Sequence, residues 1–201
     1  MSERLEISGF SLKKLRALSG SHDKEALRVL TLTARDRFAD APMNARLQSV
    51  IKRSIERGFP FPDLAEETDV HTTAASLLAD YGQKHLGMDS NFWRASALRD
   101  LAQQPPHQQA TELLKYLSSG RPLFGKHIYT GEQTYGYLSL AEIQRLRTFL
   151  REPAPYHLNP AVSDRASGYV EIEEFNDFPR ALATWLKALD DQKQDLWIFQ
   201  T

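Results

Sequence analysis

The sequence predicts a helix-rich α+β fold: a single domain, residues 1–201, with a small sheet that includes an N-terminal and a C-terminal strand. Two strand signals and the chain between them carry this reading. Leu5–Phe10 alternates apolar and polar residues, as a half-buried strand does. Leu196-Trp197-Ile198-Phe199 is the clearest strand in the sequence. Between them, apolar residues recur mostly at helical spacing in runs cut by glycine and proline.

Taken in order, Ser11 offers an N-cap to a short helix through Leu18, with Leu12, Leu15 and Leu18 inward and Ser19-Gly20-Ser21 as its stop. A second helix follows Asp23 and carries Leu27, Leu30, Ala34 and Phe38. Pro42 suits the first turn of a third, whose stripe is Met43, Leu47, Val50, Ile51 and Ile55 and whose end is Gly58. Phe59-Pro60-Phe61-Pro62 is too rich in proline for helix or central strand and reads as an extended connector. Helices are then expected over Asp69–Leu86, Ser90–Gln103 and Thr111–Leu117, the last closed by Gly120.

The character of the chain changes at Gly120. Arg121–Tyr137 is rich in glycine and aromatics and reads as loop or irregular strand. Ser139 and Glu142 form a capping box for a helix with Leu140, Ile143, Leu146 and Leu150. Pro153, Pro155 and Pro160 mark an irregular stretch, and Tyr169–Ile172 reads as a short strand. A last helix follows Asn176-Asp177, with Phe178, Leu182, Trp185, Leu186 and Leu189 in one stripe.

Composition narrows the chemistry. Lys+Arg 25 against Asp+Glu 26 leaves a net charge of −1, without the basic footprint of a nucleic-acid binder. With no cysteine, disulfides, thiolate metal sites and thiol catalysis are excluded, and a reducing cytoplasm is the expected location. The N-terminal residues have no apolar core of a secretory signal. No apolar run approaches the roughly 18 residues a bilayer span needs, so no membrane role is expected.

Local catalytic motifs are missing. The six histidines never fall at i, i+4 spacing, so no metal site is predicted. Gly125-Lys126 lacks the upstream glycine of a phosphate loop, and Gly131 and Gly136 complete no dinucleotide fingerprint; turn glycines explain them. Ser8-Gly9 and Ser19-Gly20-Ser21 likewise read as turn chemistry, and no nucleophile elbow is present. No cofactor is implied.

Two segments remain as candidate contact sites. The run from His127 through Tyr129 to Tyr135 and Tyr137 is the densest cluster of polar aromatics; tyrosine offers a large contact area with few rotors. Glu171, Glu173 and Glu174, followed by Asp177, put several carboxylates on one exposed ribbon. A solvated, charge-protected strand edge is the plain account of that ribbon, and a basic partner is the functional one.

The Gly136–Ile143 segment, the Trp185–Leu189 helix with Asp195–Phe199 behind it, and the Leu12–Ser21 opening together resemble the YfbM-like bacterial proteins of unknown function and their wider relatives. That resemblance covers about the first 30 and last 70 residues. It implies one compact α+β domain and transfers no catalytic residue. The function expected is a non-enzymatic protein-binding module, such as an immunity or inhibitor protein facing a cognate toxin, or one facing a regulator. The alternative is an enzyme or small-ligand binder with its site at Tyr129–Tyr137, helped by His127 and by Arg121 or Lys126.

Overall fold

The structure, a computed structural model, describes residues 5–58, 68–81, 95–103, 107–121, 134–150 and 178–200. It is α+β: helices predominate, and one three-stranded sheet includes the N-terminal and C-terminal strands. The expected Phe59–Pro62 connector, the Pro153–Pro160 stretch and the Tyr169–Ile172 strand lie outside the described residues. These residues gather into two compact units, each described by itself.

The first unit draws on residues 1–9, 85–121 and 135–201. The strands are β1 (Leu5–Phe10), β2 (Thr134–Leu138) and β3 (Asp195–Gln200), in the order β1-β3-β2. The two strands read most plainly from sequence are therefore neighbours, and the last strand of the chain is central. Period-two alternation sorts the side chains by chemistry. Ile7, Leu138, Leu196 and Ile198 join the aliphatic core. Tyr135, Tyr137 and Trp197 take the alternate positions, with Tyr137 5% and Trp197 3% exposed.

Ser8-Gly9 and Gly136, read from sequence as turn residues, stand inside β1 and β2 instead. Close approach, not positive φ, selects glycine at both places. A Cβ on Gly9 would meet Leu189 Cδ2 at 2.8 Å as well as the Gln194 side chain. One on Gly136 would run into the backbone carbonyl of Tyr116 and lie 3.2 Å from Ile198 Cγ2.

The helices of this unit are numbered after the four of the second unit. They are α5 (Ala95–Gln103), α6 (Thr111–Ser118), α7 (Leu140–Phe149) and α8 (Phe178–Asp191). A 3₁₀ turn, His107–Ala110, leads straight into α6. Their apolar stripes (Leu98 and Leu101; Leu113, Leu114 and Leu117; Ile143 and Leu146; Phe178, Leu182, Leu186 and Leu189) form one buried cluster. Trp185 only flanks that cluster, and Leu140 is half-buried. Gly120, at φ +81°, follows α6 as expected of a stop.

The second unit, residues 10–84 and 122–134, contains α1 (Leu12–Leu18), α2 (Lys24–Arg37), α3 (Asn44–Arg57) and α4 (Thr68–Asp80). Ser11 Oγ accepts from Lys14 N at 3.2 Å, and Asp23 Oδ1 accepts from Glu25 N at 2.9 Å and Ala26 N at 3.0 Å. Each cap contributes about 1 kcal/mol. The α2 stripe turns on Ala26, Leu30 and Ala34, and the expected Leu27 and Phe38 sit on its flank and its end, half-buried. The third helix begins later than Pro42 suggested: linked turns, Ala41 N to Phe38 O and Asn44 N to Ala41 O, carry the chain to Met43, its N-cap. Leu47, Val50, Ile51 and Ile55 are buried as expected, and Gly58 closes the helix at φ +85°.

Candidate functional site

The polar aromatics singled out in the sequence divide at the start of β2. His127 and Tyr129 lie outside the described residues, as do Glu171, Glu173 and Glu174. Tyr135 and Tyr137 stand two apart on β2, so both rings leave the same face of the strand. The Tyr135 ring stacks on Trp197 of β3, with centroids 4.9 Å apart and planes inclined by 17°. Tyr137 takes a different neighbour: the Arg121 guanidinium lies over its ring, 4.4 Å from the centroid. The same guanidinium is 4.3 Å from the centroid of Tyr116, on α6. Two cation–π contacts therefore converge on one arginine.

Arg121 also reaches the backbone of β2. Its N–H donates to Tyr135 O at 2.9 Å, and its Nη1 lies 3.4 Å from Tyr137 O. Carbonyls two residues apart point to the same side of a strand. The side away from β3 is thus served by the residue that follows Gly120, a protection that exposed sheet edges generally need.

The charge of Arg121 is met by Glu142, at 2.8 Å between Nη1 and Oε2. Both side chains are largely buried, at 23% and 18% exposure, which separates this pair from the solvent-facing Arg28–Glu25 and Lys187–Asp191 pairs. Glu142 is the third residue of α7 and completes the expected capping box. Ser139 N donates to Oε2 at 2.9 Å, and Ser139 Oγ receives the Glu142 N–H at 3.4 Å. Leu140 N is taken by Asp195 Oδ1 at 2.8 Å, so β3 caps the same helix. Three of the N–H groups that an anionic ligand would seek at this helix start, those of Ser139, Leu140 and Glu142, are already engaged.

These contacts set the protonation states. Burial on its own pushes the Glu142 carboxyl up, but the bonds from Arg121 and Ser139 outweigh it and hold the group below the ordinary carboxylate range. Burial likewise opposes the charge on Arg121, and Glu142 and the two tyrosines more than restore it. The Tyr116 phenol, donating to Glu112 at 2.7 Å, is held above the usual range first by that bond. A firmly ionised carboxylate, a charged arginine paired with it and a reluctant phenol make a clamp. Among the described residues no group of three or more histidines and carboxylates is placed to hold a metal ion, and no helix is long and apolar enough to cross a membrane.

Sequence reasoning singled out Tyr135, Tyr137 and the capping box but missed Tyr116, Trp197 and the engagement of Arg121 with Glu142. Tyr116 carries no local signal beyond its i, i+4 relation to Glu112. Comparison of the chain with family models, with curated proteins and with solved structures returns no match.

Proposed function

We propose that this chain is a non-enzymatic, cytoplasmic protein-binding module of the immunity or inhibitor type, and that the aromatic strand β2 with the run leading into it forms its contact surface. The Tyr135–Trp197 stack is the observation that carries this reading. It sets a half-buried tyrosine ring against a buried tryptophan near the C-terminal end of the polar-aromatic run. Pre-set aromatic anchors of this kind lose little freedom on binding and dominate protein interfaces. The acidic run Glu171–Asp177 adds charge complementary to a basic partner, such as a toxin that acts on nucleic acid. A small-ligand site that used Arg121 would need it to leave Glu142 and both rings.

The test is affinity capture from native bacterial lysate, followed by titration calorimetry with the purified captured protein. A saturable complex of fixed stoichiometry is expected. Tyr135→Ser and the pair Glu173→Lys, Glu174→Lys should each weaken it at least about tenfold, at unchanged far-ultraviolet circular dichroism. Failure to form any saturable complex sinks the module, and full affinity in both variants sinks the surface.

A further inference from the structure

One buried titratable group plays no part in the clamp. His107 opens the 3₁₀ turn before α6 and is 1% exposed. Its Nδ1 is buried and has no hydrogen-bond partner among the described residues. The turn it begins packs against α5, α6 and α7 together. Thr111 Oγ1 lies 3.0 Å from Ala102 O at the end of α5 and 2.6 Å from Gln108 O within the turn, so the whole corner is held at one point. A neutral imidazole tolerates this niche at the cost of one unsatisfied nitrogen. An imidazolium would bury a charge with no acceptor at Nδ1, and that is far more costly.

The neighbouring elements do not relieve it. Charged groups on them are Arg99 and Asp100 of α5, Glu112 and Lys115 of α6, and Glu142, Arg145 and Arg147 of α7. Burial is nonetheless the cause that holds the imidazole below its ordinary range, and no ion pair involves it among the described residues. Glu142 and Arg147 are occupied by Arg121 and Asp190.

We propose that His107 is an acid-sensitive latch on the α5–α6 corner: when its imidazole takes a proton from solvent, the corner opens and the Leu113–Leu117 face of α6 is exposed. The direction follows from linkage. The unfolded or opened chain binds the proton more readily than the closed one, so closure is fully favoured above about pH 6.5 and weakens as pH falls below it. The latch is argued from His107 and the α5–α6 corner and does not rest on the partner surface proposed above.

Backbone hydrogen exchange between pH 7.5 and 5.0, corrected for intrinsic rates, reads the latch directly. Protection of the α6 amides should fall by up to about tenfold per pH unit below pH 6.5, while that of α2 and α3 changes less than twofold. In His107→Gln the pH dependence at α6 should vanish. An equal fall in the variant, or none in the wild type, overturns the proposal. Should the variant not fold, nuclear magnetic resonance titration of His107 in the wild type decides: titration at or above about 6.5 overturns it.

Discussion

Arg121 and Glu142 meet at a single carboxylate oxygen. Oε2 of Glu142 accepts from Arg121 Nη1 at 2.8 Å, from Ser139 N at 2.9 Å and from Ser139 Oγ at 2.7 Å. One atom thereby ties the segment leaving α6 to the start of α7, while the arginine that reaches it also serves the edge of β2.

Removing Arg121 costs two ring contacts and leaves a mostly buried carboxylate without its cation. Arg121→Ala should lower unfolding free energy by about 2 kcal/mol in urea titration. Arg121→Lys should recover less than half, since an ammonium cannot lie flat over two rings; full recovery would contradict the clamp. The pH dependence has a definite sign. Because the folded state depresses the Glu142 carboxyl, its stabilisation is complete above about pH 4.3 and is lost as pH falls through the folded value. The stability gap between wild type and Glu142→Gln should therefore close in acid.

Gly136 brings β2 against the last turn of α6. Because the obstructing atom at Tyr116 is backbone, no side-chain rotation can make room for a methyl group. Gly136→Ala should cost about 3 kcal/mol by thermal or urea unfolding. A loss under about 0.5 kcal/mol would show that α6 and β2 do not sit this close.

At the end of α8, Lys193 occupies the left-handed region at φ 55°. Lys193 N donates to Asp190 O at 3.0 Å and Gln194 N to Leu189 O at 2.9 Å, the paired bonds of a Schellman ending, for which glycine is preferred. Lys193→Gly should raise stability by about 0.5–1 kcal/mol, after losing the exposed 3.3 Å pair with Asp190. A lower melting temperature would mean that the pair outweighs the backbone strain.

What could be read from the sequence was local. The caps at Ser11 and Ser139, the helix start after Asp23 and the glycine ends of α3 and α6 rest on residues near one another, and the terminal strands on their own short apolar patterns; that the two strands share a sheet follows from economy of packing and from no local signal. In the α2 stripe Leu30 and Ala34 are legible, while Ala26 takes the buried place expected of Leu27 because it carries little hydrophobic weight beside it. The strands that hold Gly9 and Gly136 are legible, but the reason for glycine there is not, because what crowds a side chain, Leu189 and Tyr116, is distant in sequence. The same distance hid the site: Tyr116, Arg121, Tyr137 and Glu142 span two helices and a strand, and no spacing rule joins them. Of the predicted contact residues, Tyr135 and Tyr137 are placed on one strand face; His127, Tyr129 and the Glu171–Glu174 ribbon lie outside the described residues.

The strand order β1-β3-β2 has a consequence for synthesis on the ribosome. The central strand is the last of the three to emerge, so the other two must wait for it without their in-sheet neighbour. Until Asp195–Gln200 clears the exit tunnel, Tyr135 has no indole to rest on and α7 has no carboxylate at its first amide. A message truncated a few codons before that strand would yield a chain with all the described helices but without the strand that joins β1 to β2, which quality-control proteases would be expected to remove.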